Sequence, residues 1–188
     1  MDSVLFIVDM NNGFTRKGPL ASERVEKIIP NIVKAIEVFK ENDSEIIAFT
    51  DCHKENAAEF TAFPPHCMEG TEESELVSEI KEYEDFIKVI KKNSTNAFLE
   101  EETQKSVKEM ISRGIKKWYI TGCVTDICVK QLALTLKAYF KKENLEMEVI
   151  VIKNSVETYD APGHNGEEMN RYSFIDMKQG GIKIIEEI

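Results

Sequence analysis

Apolar residues fall along this chain in two patterns, short unbroken runs and stretches at helical spacing. Val4-Leu5-Phe6-Ile7-Val8 is a β-branched and aromatic run closed by Asp9, the pattern of a strand buried on both faces of a parallel sheet. Residues 22–41 then carry apolar side chains at helical spacing: Val25, Ile28, Ile29, Ile32, Val33, Ile36, Val38 and Phe39. Ile46-Ile47-Ala48-Phe49-Thr50 predicts a second strand ending at Asp51, and 52–72 reads as a loop stiffened by Pro64-Pro65. A short helix is expected over 76–83. Phe86-Ile87-Lys88-Val89-Ile90 predicts a third strand, running out at Lys92.

The second half repeats the scheme. Helical spacing covers 101–113 and stops at Gly114, a fourth strand covers 115–121, and a helix follows over 126–142 with Thr125 or Asp126 as its cap. Val149-Ile150-Val151-Ile152 predicts a fifth strand, then come a polar segment at 154–166, a helix over 167–179 and a terminal strand over 182–185. Strands alternating with helices predict right-handed parallel crossovers. The expected fold is α/β: one three-layer α/β/α domain spanning 1–188, Rossmann-like, with a six-stranded, mostly parallel sheet and helices on both faces. Ligands of such sheets sit beyond the carboxyl ends of the strands, where Asp9, Asp51, Lys92 and the 121–128 segment all fall.

Composition narrows the partners. Lys and Arg total 24 against 34 Asp and Glu, a net charge of -10, which repels a nucleic-acid backbone. No apolar run approaches the roughly 20 residues of a membrane span, and the N-terminal residues show neither a basic region nor a cleavage site. The expectation is a cytoplasmic protein with a small-molecule substrate, without nucleic-acid or membrane partners. In that compartment Cys52, Cys67, Cys123 and Cys128 are expected as reduced thiols.

Thr121-Gly122-Cys123-Val124-Thr125-Asp126-Ile127-Cys128 has the chemistry of a nucleophile turn. A strand ends, a glycine permits a tight turn, and Cys128 falls in the first turn of a helix. Unpaired N–H groups there lower a thiol pKa from about 8.5, and they can hold an oxyanion. The alternative is a buried, inert cysteine. A nucleophilic thiol also needs a proton acceptor and a charge partner, for which Asp9 and Lys92 are the candidates. Asp51-Cys52-His53 sends Asp51 and His53 to the same side of an extended segment and Cys52 to the other. His66 follows the two prolines, and Glu59 lies in the same loop. Asp51, His53, Glu59 and His66 suit a divalent metal, Zn²⁺, Fe²⁺ or Mn²⁺. The remaining histidine, His164, has no assigned role.

These segments resemble the isochorismatase-like cysteine hydrolases, most closely the nicotinamidases. Asp9-Met10-Asn11-Asn12-Gly13-Phe14 is similar to the family's first-strand motif, with Asn11 and Gly13 where Gln and Asp are usual. Asp51-x-His53 and Phe63-Pro64-Pro65-His66-Cys67-Met68-Glu69-Gly70-Thr71 are similar to its metal-binding segments, Lys92-Asn93-Ser94-Thr95-Asn96-Ala97-Phe98 to its lysine segment, and Gly122–Cys128 to its nucleophile turn. The resemblance implies Cys128 as nucleophile, Asp9 as base and Lys92 as charge partner. It implies a cis peptide between Val124 and Thr125 that aims the Val124 and Cys128 N–H groups at an oxyanion. It further implies a metal, most simply zinc, on Asp51, His53, His66 and a variable fourth ligand, here Glu59; a pyridine ring between Phe14 and Phe63; and assembly as dimers or tetramers. The implied activity is deamidation of nicotinamide in NAD salvage. Other small carboxamides or carbamoyl compounds are the enzymatic alternative, and a metal-binding or thiol redox protein is the non-enzymatic one.

Overall fold

The computed structural model describes residues 2–188; Met1, part of the N-terminal reading above, lies outside them. Six strands, β1 (Ser3–Val8), β2 (Glu45–Asp51), β3 (Ile87–Lys92), β4 (Lys117–Cys123), β5 (Glu148–Glu157) and β6 (Lys183–Ile185), form one sheet in the order β3-β2-β1-β4-β5-β6. Every pairing is parallel. The helices are α1 (Asn12–Thr15), α2 (Glu23–Glu26), α3 (Ile29–Glu41), α4 (Ser78–Lys81), α5 (Glu101–Ser112), α6 (Lys130–Lys142) and α7 (Gly166–Gly180). This is the expected three-layer α/β architecture. Among the described residues no helix is long and apolar enough to cross a membrane.

Successive strand side chains point to opposite faces, and β1 divides its run accordingly. Val4, Phe6 and Val8 pack with α5, α6 and α7 through Val107, Met110, Leu132, Leu136, Phe140 and Met177. Leu5 and Ile7 pack on the other face with Ile32, Ala35, Ile36 and Phe39 of α3 and Ile80 of α4. Phe6 makes edge contacts with Phe49 and Trp118 at ring separations of 5.2 and 5.8 Å.

Several boundaries differ from expectation. The single helix read over 22–41 is two, because Pro30 has no N–H to continue a hydrogen-bond ladder and instead sits in the first turn of α3. The fifth strand continues to Glu157, beyond its apolar run, because Val156 and Glu157 still pair with Gly122 and Cys123 after a register shift in β4. The polar segment therefore begins as strand. The 52–72 loop contains a 3₁₀ turn, Ala58–Thr61, and a bridge between His53 and Met68. Gly122 has φ +108°, and a Cβ there would lie 2.0 Å from the Val8 carbonyl oxygen. No other residue fits between β1 and β4 at that point.

Candidate active site

The strand order sets out the site. β3, β2, β1 and β4 lie side by side, so their carboxyl ends present Lys92, Asp51, Asp9 and the Cys123–Cys128 turn in one row. Lys92 is the register partner of Asp51. Asp9 leaves β1 in the left-handed region, φ 51°, tied by its N–H to the Phe49 carbonyl at 2.9 Å. Asn11 donates to the carbonyls of Asp51 and Ser74, both at 3.0 Å, and so clamps the end of β2.

The Lys92 ammonium is completely buried between two carboxylates. It lies 2.9 Å from Asp9 Oδ2 and 2.9 Å from the Ser94 carbonyl, contacts Asp51 Oδ1, and stands 4.0 Å from Cys128 Sγ. Burial alone would discharge it, but Asp51 and Asp9 hold its pKa well above the ordinary lysine value. Burial, helped by the Asp51 charge, pushes the Asp9 carboxyl up to about 7 against the pull of Lys92. The Asp9 carboxylate and the Cys128 sulfur thus border the same ammonium. Asp9, Lys92 and Cys128, read from three distant stretches of sequence, therefore meet in one buried cluster.

Three local expectations are corrected. The cis peptide joins Cys123 to Val124, one residue before the expected Val124–Thr125 bond. The Cys128 thiol is not acidified in the free site: burial raises its pKa well above the ordinary value, and Lys92 only partly opposes this. The helix start is a π-helical turn, Thr125–Val129, with Val124 at its cap position and no side-chain cap from Thr125 or Asp126. Asp126 has both oxygens engaged elsewhere, Oδ1 by the Thr158 hydroxyl at 2.6 Å and Oδ2 by His164 Nε2 at 2.8 Å.

Asp51, His53, Glu59 and His66 converge, their ligand atoms all within 4.8 Å of one another. The Nε2 atoms of His53 and His66 each lie 3.5 Å from Asp51 Oδ2, and Glu59 Oε1 lies 4.0 Å from His66 Nε2. Ligands bonded tetrahedrally to zinc at about 2.1 Å are separated by roughly 3.4 Å, so the spacing fits a shared ion. The outer ring nitrogens are fixed, His53 Nδ1 on Asn93 Oδ1 at 2.9 Å and His66 Nδ1 on the Pro64 carbonyl at 2.8 Å. This is the outer support that metal-binding histidines require. His53 Nε2 is buried without a hydrogen-bond partner among the described residues, and a cation would satisfy it.

A cavity of about 640 Å³ opens onto these groups, lined by Phe14, Phe63, His66, Val124, Cys128 and Tyr159 among others. Phe14 and Phe63 stand 5.5 and 6.3 Å from the His66 ring. Sequence reading missed Phe60, whose ring packs on both His53 and His66 at 5.4 and 5.7 Å. Its position directly after Glu59 was the available signal. It also missed Asn93 and the partnership of Asp126 with His164.

Fold and site together define the class. The chain belongs to the isochorismatase family, whose domain model matches residues 3–186. It is therefore a hydrolase of that family. Nicotinamidase 1 of Arabidopsis thaliana is 31% identical over 180 residues, covering 88% of this chain and 73% of that protein. The solved pyrazinamidase of Pyrococcus horikoshii in complex with zinc is 28% identical, covers 98% of this chain and 99% of its own, and superposes with a TM-score of 0.80. N-carbamoylsarcosine amidase from Thermoplasma acidophilum, 24% identical with a TM-score of 0.80 over 100% of this chain and 99% of its own, shares the fold.

Proposed function

We propose that this protein is a metal-dependent cysteine amidohydrolase that converts nicotinamide to nicotinate and ammonia. The observation that carries the reading is the buried Asp9–Lys92–Cys128 cluster beside a four-residue metal-ligand set at the foot of one cavity. The similarity to nicotinamidase and pyrazinamidase supports the substrate class.

Asp9 takes the Cys128 thiol proton, a transfer favoured by its raised pKa. The thiolate, kept charged by Lys92, attacks the carboxamide carbon, and the Val124 and Cys128 N–H groups receive the oxyanion. Asp9 returns the proton to the departing nitrogen, the C–N bond breaks, and ammonia leaves a thioester on Cys128. Asp9 then draws a proton from water, whose oxygen attacks the thioester; the C–S bond breaks and Asp9 restores the thiol proton. Asp51, His53, Glu59 and His66 would hold a divalent cation, most simply zinc, which supplies Lewis-acid anchoring of the substrate. Phe14 and Phe63 would face the two sides of its ring.

Ammonia release from nicotinamide is measured for the wild type, the wild type with a chelator, and Cys128→Ala. The expected result is turnover by the first, its loss on chelation, and none by the variant. Full ammonia release by Cys128→Ala overturns the mechanism. A second substrate reading, another small carboxamide or carbamoyl compound, is favoured by a cavity in the size range of drug-like ligands. Turnover of such an amide without turnover of nicotinamide would establish it.

A further inference from the structure

We propose that His164 is a positioning residue, fixing the turn that bears Cys128 through Asp126 and fixing Tyr159 as the outer wall of the substrate cavity through its stacked ring. The inference rests on the hydrolase reading of Cys128. His164 lies 36 residues beyond Cys128 in the polar segment after β5, yet it contacts both Asp126 of the nucleophile turn and Tyr159 of the cavity lining.

The contacts are specific. His164 Nε2 meets Asp126 Oδ2 at 2.8 Å, and Nδ1 meets the Tyr159 carbonyl at 3.0 Å. Its backbone exchanges two 2.9 Å hydrogen bonds with Ala161, closing the 161–164 loop. Its ring lies flat on that of Tyr159, 4.0 Å between centroids and 2° between planes. Asp126 stands two residues before Cys128 within the π-helical turn and is only 9% exposed. Its other oxygen is held by fully buried Thr158, whose carbonyl is in turn bonded by Arg24 Nε at 3.1 Å. Arg24 also reaches Glu157, Asp160 and Glu167, so the 157–160 segment is fastened to another residue of the cavity lining. The imidazole adds a second tie, beside the Thr158 hydroxyl, between this fastened segment and the nucleophile turn. Tyr159, Ala161, Ile127 and Cys128 all line the cavity, so the same link sets the distance from the sulfur to the aromatic wall. Displacements of about 1 Å at a reacting group cost on the order of a hundredfold in rate, and a side chain that sets this spacing acts on turnover without touching substrate.

Gln at 164 keeps an N–H where Nε2 stands but cannot stack on Tyr159; Ala keeps neither. His164→Ala is expected to lower kcat about tenfold or more and to raise KM, whereas His164→Gln returns kcat to within about threefold of wild type and leaves KM raised. Tyr159→Ala, which removes the stacked ring and its part of the cavity wall, is expected to raise KM. In parallel, alkylation of Cys128 by iodoacetamide is followed by mass spectrometry of the Cys128 peptide, which needs no amide substrate. It should slow about tenfold in His164→Ala and recover in His164→Gln. Equal kcat in the two His164 variants, or alkylation that is unchanged or faster in His164→Ala, overturns the proposal. A wild type that ignores nicotinamide overturns the substrate reading alone, because the alkylation series still decides the role of His164. Should His164→Ala fail to fold, Asp126→Asn, which weakens the tie to the nucleophile turn but leaves His164 stacked on Tyr159, takes its place: kcat and the alkylation rate should fall about tenfold with KM little changed, and unchanged alkylation overturns the proposal.

Discussion

Replacing Lys92 by Met tests the charge balance of the buried cluster. The two side chains have similar length and shape, so the substitution removes the ammonium and little else. Lys92 is completely buried, 2.9 Å from the Asp9 carboxylate and in contact with that of Asp51. Its loss leaves two buried carboxylates with no cation between them. Breaking a buried ion pair from one side costs about 3–5 kcal/mol, a large part of the 5–15 kcal/mol that typically stabilises a domain. Trp118, the one tryptophan, is buried in the core against Phe6 and Phe140, and its fluorescence reports urea unfolding. The expected loss is about 3–5 kcal/mol at neutral pH with metal chelated, together with loss of turnover. Lys92→Met combined with Asp9→Asn should recover part of it, because one of the two buried carboxyl groups that must otherwise stay charged or take up a proton is gone. A loss below about 1 kcal/mol for Lys92→Met would refute the argument that this lysine neutralises the cluster.

Further expectations concern space, metal and pH. A Cβ on Gly13 would lie 2.5 Å from Cys67 Sγ and 3.1 Å from the Glu73 carbonyl, so Gly13→Ala should lose about 1–3 kcal/mol, most of it recovered by adding Cys67→Ala; no recovery in thermal melts would reject the clash. Asn93→Ala frees the outer nitrogen of His53 and should weaken zinc binding about 10- to 100-fold, read by competition with a chromophoric chelator; unchanged affinity would reject the support. Arg16 holds the Glu79 carboxyl down to about 2 from its ordinary 4.5. A depressed folded-state pKa stabilises above pH 4.5 and is lost as pH falls through about 2. Both side chains are partly exposed, so Glu79→Gln should cost only about 0.5 kcal/mol at pH 7, and the gap to wild type in urea melts should close toward pH 2; a gap that persists there would rule out the ion pair as its source.

The layers of this fold could be read from the chain because parallel strands buried on both faces are written as apolar runs. Those runs stop at Asp9, Asp51 and Lys92, and the strand ends are where the cluster assembles. The candidate metal-ligand set was readable for a related reason: alternation in an extended segment sends Asp51 and His53 to one side while two prolines stiffen the approach to His66. What escaped reading depends on tertiary contact. The extension of β5 to Glu157 follows its partner strand rather than its own hydropathy. Asp126 has the composition of a helix cap, but its oxygens are claimed by Thr158 and His164, remote in sequence. The Cys128 thiol sits near a helix start, as expected, yet burial outweighs that influence. Local pattern cannot weigh desolvation, since desolvation depends on what the rest of the chain places overhead.

Gly122 carries no side chain and takes part in no chemistry, yet the Val8 carbonyl leaves its α-carbon no room for even a methyl group. In a saturation scan scored by growth or turnover, this position should be as intolerant as Cys128, the proposed nucleophile six residues later. Such a scan could not by itself separate the reacting atom from the hole that lets two strands approach. Abundance measured alongside activity would part them: variants at 122 should vanish from the soluble pool, while Cys128→Ala should accumulate as inactive protein.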